Sequence, residues 1–341
     1  MNKAPILTIA VPTYNMEKYL AHNLDSIVAV SHGAREALEV LVLNNSSTDE
    51  SGRIADEYAQ KYPQLFTVIH KENNGYGSSV NLAIEKAKGR YLRIVDADDW
   101  VNPEALAELI VQLKNRTEDL LLMPYSTVDM RTGNEEMHNS APEEWRVGET
   151  QLHFSEGTCP VPQMHGTVFR VEFLRQAEIR LLENAYYVDE QLMIWAYMSA
   201  ESACKLENDV YRYRIGMASQ SVSSNSMGRR WRDRERVIRS CLERQGSLEQ
   251  RKMLKCPCPW RLSENIGNHF TTLYMYVKPR KEGYRIAGEW RKFVQENAPD
   301  MWEKVQKKAG VLSILCVAHI SPSWYEKVKN CTALRKIIRA K

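Results

Sequence analysis

Asp96-Ala97-Asp98-Asp99 places three carboxylates within four residues, directly after the β-rich run Tyr91 to Val95. Side by side, such groups repel one another unless solvent or a cation compensates them. A divalent ion, Mg²⁺ or Mn²⁺, held by one or two of them and completed by diphosphate oxygens would neutralise charge on a departing nucleoside diphosphate. The plainer reading is an acidic turn that caps the helix after it. Three other segments that follow β-rich runs are equally polar: Pro12-Thr13-Tyr14-Asn15, Asn44 to Asp49, and Asn73-Asn74-Gly75-Tyr76-Gly77. In an open parallel sheet, ligands bind beyond the carboxyl ends of the strands, so these four places are expected to meet at one site.

The elements that would position them follow from periodicity. Short apolar runs at Ile6–Val11, Val40–Leu43, Phe66–Ile69, Tyr91–Val95 and Leu120–Pro124 read as strands, alternating with helical patterns as in a parallel sheet covered by helices. Glu17 to Val28 reads as a helix with Leu20, Leu24, Ile27 and Val28 on one face. Ser47 and Glu50 have the spacing of a capping box for a helix towards Lys61. Ser78 to Lys88 reads as a helix closed by Gly89, and Asn102-Pro103 as the start of another. Periodicity weakens from Ser126 to about Ser155, apart from a hairpin turn at Arg131–Asn134, and helical character dominates again around Leu192 to Ala200. Residues 229–245 form one basic helical stretch and residues 285–308 another amphipathic one.

With 341 residues and ordinary apolar content, the chain can bury a sizeable core. Seven cysteines, an odd number in a chain that needs no staples, are expected to be reduced; Cys256-Pro257-Cys258 lacks a second pair at zinc spacing. No apolar run is long enough to span a bilayer and the first residues carry no cleavage signal, so a cytoplasmic location is expected. Charge is uneven: residues 225–341 hold 26 Lys and Arg against 11 Asp and Glu, although the whole chain is only +3. The expected division is therefore a catalytic domain over 1–224, with halves at about 1–125 and 126–224, and a basic, mainly helical region over 225–341.

Taken in order, VPTYN at 11–15, NNSSTD at 44–49, NNGYGSSVN at 73–81 and IVDADD at 94–99 resemble the family 2 glycosyltransferases. The resemblance covers about residues 5–225. It implies an α/β fold of the GT-A type, a mostly parallel sheet flanked by helices. It also implies an inverting transfer of sugar from a nucleotide-diphosphate donor to an acceptor hydroxyl, in the synthesis of cell-surface polysaccharide or glycoconjugate. Pro12, Thr13, Tyr14 and Asn15 would line the base and ribose. Asn45 stands where the family usually has an aspartate that accepts from the base, and Ser47 shares that loop; a UDP-sugar is the default donor. Asn74, Gly75 and Gly77 would let the backbone approach the donor, with Asn81 fixing the loop. Asp96 and Ala97 would lie near the ribose, and Asp98, with Asp96, would hold the metal.

The same resemblance assigns the general base. Tyr186-Tyr-Val-Asp-Glu190 looks like the family's acidic acceptor motif, with Asp189 as the base and Glu190 as second choice. Arg214, Gln220 and Ser221 fall in a segment similar to the one that closes over the donor diphosphate. His165, ahead of the strand-like Thr167–Arg170, borders the acceptor pocket or is a structural histidine.

Two other functions compete with this one. A nucleotidyltransferase acting on sugar phosphates would show a glycine-rich, basic signature after the first strand, and VPTYN is not one. A non-catalytic carbohydrate or nucleic-acid binding module would account for the basic C-terminal region, but not for the DADD and VDE motifs. Nucleic acid is not the expected partner; a saccharide or lipid-linked acceptor is. The basic excess, with Val311–Val317 and the Lys327–Lys341 stretch, suggests peripheral attachment to the inner face of an anionic membrane. Arg229, Arg230, Arg232, Arg234, Arg236 and Arg239, interleaved with Asp233 and Glu235, also fit a solvated, internally paired helix.

Overall fold

The computed structural model describes residues 4–152, 163–216, 224–256 and 259–328. Twelve strands are described: β1 Leu7–Thr13, β2 Leu38–Asn44, β3 Phe66–His70, β4 Tyr91–Ile94, β5 Trp100–Val101, β6 Leu120–Leu122, β7 Tyr125–Asp129, β8 Glu135–His138, β9 Thr150–Leu152, β10 Thr167–Arg170, β11 Ser202–Lys205 and β12 Tyr211–Ile215. An eight-stranded sheet runs β3-β2-β1-β4-β10-β6-β11-β9. Its first four strands are parallel, and β10 is antiparallel to both β4 and β6. Every residue of β1 and β2 is buried, as expected for central strands covered on both faces.

A second sheet runs β5-β12-β7-β8, and its strands β7 and β8 stand where the sequence shows little periodicity. Its strands are short and its exposed edge strand β8, EEMH, carries no apolar alternation. The hairpin turn expected at Arg131–Asn134 does connect β7 to β8.

The helices of the first part are α1 Leu20–Val28, α2 His32–Arg35, α3 Ser51–Lys61, α4 Gly75–Lys86, α5 Pro103–Leu113, α6 Val171–Gln176 and α7 Val188–Ser199. Those of the second are α8 Ser224–Arg229, α9 Trp231–Gln250, α10 Pro259–Thr271, α11 Arg280–Asn297, α12 Pro299–Val317 and α13 Pro322–Val328. Asn102 caps α5 as expected, accepting from the Ala105 N–H at 3.0 Å.

Several boundaries differ from expectation. Ser47 does not cap α3, because its hydroxyl accepts from the Asn15 N–H at 3.0 Å and the helix begins only at Ser51. Helix α1 starts at Leu20 rather than Glu17. Helix α4 opens three residues early, at Gly75, and ends at Lys86, so Gly89 is not its C-terminal glycine. Gly89 instead passes so close to Thr8 of β1 that a Cβ there would overlap the backbone. The single region expected over 285–308 is two helices, because Pro299 cannot continue α11 and becomes the first residue of α12.

The chain divides into units at Met1–Ala218 and Ser219–Lys341. The described cysteines, Cys204, Cys241, Cys256 and Cys316, are buried. No helix among the described residues is long and apolar enough to cross a membrane.

Candidate active site

The backbone leaves the sheet just past β4, where the Val95 N–H makes a last bond to Ala10 O at 2.9 Å. The four residues that follow are held by partners that carry no acid. Asn23, fully buried on α1, donates its amide to the carbonyls of Asp96 (3.0 Å) and Asp99 (2.9 Å). The Tyr211 hydroxyl of β12 accepts from the Asp96 N–H and donates to Asp99 Oδ2 at 2.6 Å. Arg214 gives its backbone N–H to Asp99 Oδ1 (2.7 Å) and its Nε–H to the Asp98 carbonyl (2.6 Å). The carboxylate turn is thus fixed by α1 on one side and β12 on the other. Replacing Asn23 by Ala takes the side-chain donor from the buried Asp99 carbonyl and leaves the Asp96 carbonyl with only the Asp99 N–H, at a cost of roughly 1–3 kcal/mol. We expect a lower thermal midpoint for Asn23→Ala and weaker Mn²⁺ binding in a calorimetric titration; unchanged values for both would remove Asn23 from this role.

Burial and crowding set the charge of the turn. Burial, and then the Asp98 charge, raise Asp96 above the ordinary carboxylate range. Asp99 is raised by burial and by both neighbours, and Asp98 by burial. Tyr76 donates to Asp96 Oδ1 at 2.6 Å; burial and that carboxylate hold its hydroxyl protonated well above its usual range. His165 Nε2 lies 3.9 Å from Asp96 Oδ2. Burial, with the Arg93 guanidinium, pushes His165 down to about 4, so the ring is neutral near pH 7. It stacks on Tyr213 with ring centroids 4.4 Å apart, and the Arg93 Nη2–H bonds its backbone carbonyl at 2.6 Å.

Ligand atoms of Asp96, Asp99 and His165 all lie within 4.8 Å of one another. Clustered carboxylates resisting ionisation beside a neutral imidazole suit a divalent cation, which would relieve their repulsion. Asp98, expected as a ligand with Asp96, sits half-buried on the same turn but outside that trio. His165 therefore stands beside the carboxylates, a neighbourhood the sequence did not give it.

Across the corner, Asp189 and Glu190 occupy the first turn of α7, entered through Tyr187 at φ 65°. The negative charge of Asp189 acts on Tyr76, Asp96 and Tyr213, so it faces the same space.

The segment leading to α7 is anchored to α4. Asn81 makes two bonds with the Leu181 backbone, at 3.0 and 2.8 Å, and the Asn184 N–H donates to Asn74 O at 2.8 Å. This corrects the expectation for the glycine loop: Asn81 clamps Leu181, and a Cβ on Gly77 would overlap the Leu182 carbonyl. Gly75, at φ 80°, faces the Asn184 backbone. Both glycines serve close packing against the segment that carries the candidate base. Gly77→Ala should displace that segment, and about a 10²-fold loss of turnover would follow from a misplacement near 1 Å. Single-turnover kinetics checks this, and full activity would show the contact to be dispensable.

The two remaining loops knit together. The Asn45 N–H bonds Thr13 O at 2.9 Å, Thr48 N–H bonds Asn15 Oδ1 at 2.8 Å, and Pro12 pairs with Leu43 in the sheet. Tyr14 stays 46% exposed, leaving its ring available to a base, and Ala97 is buried. Asn45 is buried, donates to Ser79 Oγ at 2.8 Å and accepts from Lys71 Nζ at 2.8 Å. An aspartate could not make that donation, which gives asparagine a structural reason to be here.

Arg214 also departs from expectation. Its guanidinium lies between Tyr19 and Trp100, 5.0 and 4.8 Å from the ring centroids, and the residue is buried. Besides the Asp98 carbonyl it reaches His22 Nδ1 at 3.3 Å, so it braces the carboxylate turn from behind instead of presenting itself to a phosphate. Gln220 and Ser221 lie outside the described residues. The sequence reading missed Asn23, Tyr76 and Lys71 and gave Tyr211 no role. Asn23 left a signal, a polar residue among the apolar positions Leu20, Leu24 and Ile27 of one helix face.

Against known proteins, the family model for glycosyl transferase family 2 matches residues 8–177. The poly(ribitol-phosphate) beta-N-acetylglucosaminyltransferase TarS of Staphylococcus aureus is 26% identical over 219 residues, covering 64% of this chain and 37% of TarS. The minor teichoic acid biosynthesis protein GgaB of Bacillus subtilis is 33% identical over 135 residues, 39% of this chain and 15% of GgaB. The chain therefore spans well under half the length of these two relatives. Among solved structures, S. aureus TarS 1-349 in complex with UDP-GlcNAc superposes with a TM-score of 0.67 at 21% identity, covering 94% of this chain and 92% of that one. The likeness shows a shared GT-A fold.

Proposed function

Because the chain belongs to glycosyl transferase family 2, we propose that it moves a sugar from a nucleoside diphosphate donor to an acceptor hydroxyl with inversion at the anomeric carbon. The observation that carries this reading is the meeting of two acidic sets, Asp96 to Asp99 and Asp189, around Tyr76. The donor is a UDP-sugar, supported by the TarS complex with UDP-GlcNAc. The product belongs to cell-surface glycan, as the names of TarS and GgaB suggest by analogy.

In this reading Asp189 takes the proton from the acceptor hydroxyl as it attacks, and Glu190 on the same turn is the second choice. Pro12, Thr13, Tyr14, Asn15, Asn45 and Ser47 form the nucleotide side, and Asn74, Gly75 and Asn81 hold the wall between donor and base. Asp98 with Asp96, beside Asp99 and His165, would hold Mn²⁺ or Mg²⁺, which when bound would offset negative charge on the departing diphosphate. Tyr76 keeps Asp96 oriented by donating to it, and His165, neutral and stacked on Tyr213, also borders the acceptor. The acceptor is a saccharide or a lipid-linked saccharide, reached by a chain that attaches from the cytoplasmic side to anionic membrane through its basic C-terminal region.

The test is release of nucleoside diphosphate from a panel of nucleotide sugars, with Mn²⁺ or Mg²⁺ and saccharide acceptors, and NMR of the product's anomeric centre. A product of inverted configuration is expected. Transfer of a nucleotidyl group to a sugar phosphate, with pyrophosphate released, would replace this function with its rival.

A further inference from the structure

Helix α12 changes character along its length. Its inner stripe, Met301, Val305, Ala309, Leu312 and Cys316, is buried in the second unit. Its outer side begins polar, with Asp300, Glu303, Lys304 and Lys307 exposed, but ends on Ile314 and Val317, 69% and 62% exposed and one turn apart. Trp324, at the start of α13, is another large apolar side chain left 44% exposed. Isolated exposed apolar residues need no explanation, but three within eleven positions at the end of a packed helix do.

The corner that carries them is braced from inside. Arg280 of α11 donates to the carbonyls of Cys316 and Ile320, closing the end of α12. Tyr325 is buried and Tyr276 bonds Glu326, so α13 is pinned by the two residues that follow Trp324. The apolar side chains are therefore presented by a fixed scaffold instead of a frayed end.

Charge identifies the partner. Lys278 and Lys281, beside Arg280 in sequence, are exposed. From residue 327 onward the sequence holds Lys327, Lys329, Arg335, Lys336, Arg339 and Lys341 and no acid. Aliphatic and tryptophan side chains that dip into the headgroup boundary, flanked by lysine and arginine, are the combination that binds an anionic bilayer surface. A protein partner would have to be both acidic and apolar over the same small area.

We infer that the α12–α13 corner is a membrane-docking surface that inserts Ile314, Val317 and Trp324 into an anionic bilayer while Lys278, Lys281 and Lys327 engage lipid phosphates. This rests on the attachment named in the proposed function but not on sugar transfer itself.

Sedimentation of the full chain with vesicles tests it, using phosphatidylglycerol mixed into phosphatidylcholine against phosphatidylcholine alone. The protein should pellet with the anionic vesicles at low salt and be released by about 0.5 M NaCl, where charges are screened beyond a few ångströms. Ile314→Glu with Val317→Glu should weaken partitioning at least tenfold, given the apolar area withdrawn from lipid. Trp324→Ser, milder for folding, should weaken it several-fold, with the thermal midpoint of each variant showing that it is folded. Nucleoside diphosphate release with a soluble acceptor should be the same in the variants as in the parent, so failure of docking and failure of the catalytic reading remain separable. Equal partitioning of parent and folded variants would overturn the inference. So would a parent that stays in the supernatant, or one that is a dimer dissociated by the double substitution without any vesicle binding.

Discussion

Asp189→Asn should lower turnover by about 10²–10⁴-fold, the range expected when a positioned general base is lost. Asparagine preserves the volume and the helix start but cannot accept the hydroxyl proton in the transition state. Because Asp189 stands on α7 and not on the nucleotide loops, donor affinity measured by calorimetry should change little. Turnover within a factor of three of the parent would eliminate Asp189, and Glu190→Gln would then become the informative variant.

The second large effect concerns the carboxylate turn. Asp98→Asn should reduce turnover by about 10²–10³-fold, comparable to losing one preorganised group that stabilises developing charge. The backbone bonds that shape the turn come from Asn23, Tyr211 and Arg214, and the side chain of Asp98 takes no part in them. The fold should therefore survive the substitution, and the thermal midpoint without ligand should stay near that of the parent. The upward shift of the midpoint on adding Mn²⁺ with a nucleoside diphosphate should shrink, because a ligand raises apparent stability only through its affinity for the native state. Chelation of the parent by EDTA should reproduce the loss. Asp99→Asn, in contrast, should cost stability, since Tyr211 and the Arg214 N–H both bond its carboxylate.

The parallel core was readable because its strands are continuous apolar runs and its helices carry clear stripes. All five expected strands are present, and the polar residues after β1, β2 and β4 gather at their carboxyl ends. The second sheet was not readable: β5 has two residues, and β8 is too polar to alternate. Acidic motifs stood out by composition, whereas the groups that hold them are scattered. Asn23 lies 73 positions before Asp96, and Tyr211 lies 115 positions after it. A one-dimensional spacing rule cannot join such partners. The reading of Arg214 failed for a related reason: a guanidinium near a phosphate site in sequence was committed in space to two aromatic rings and a carbonyl.

The two bonds linking Asn81 to Leu181 and the one linking Asn184 to Asn74, with Gly77 against Leu182, bear on how such enzymes could be recombined. A chimera that imports residues 181–199 from a relative to change which molecule is glycosylated would also have to import residues 73–86. Grafts made at the sequence boundary between the halves would cut through this seam and yield folded hybrids with a displaced carboxylate.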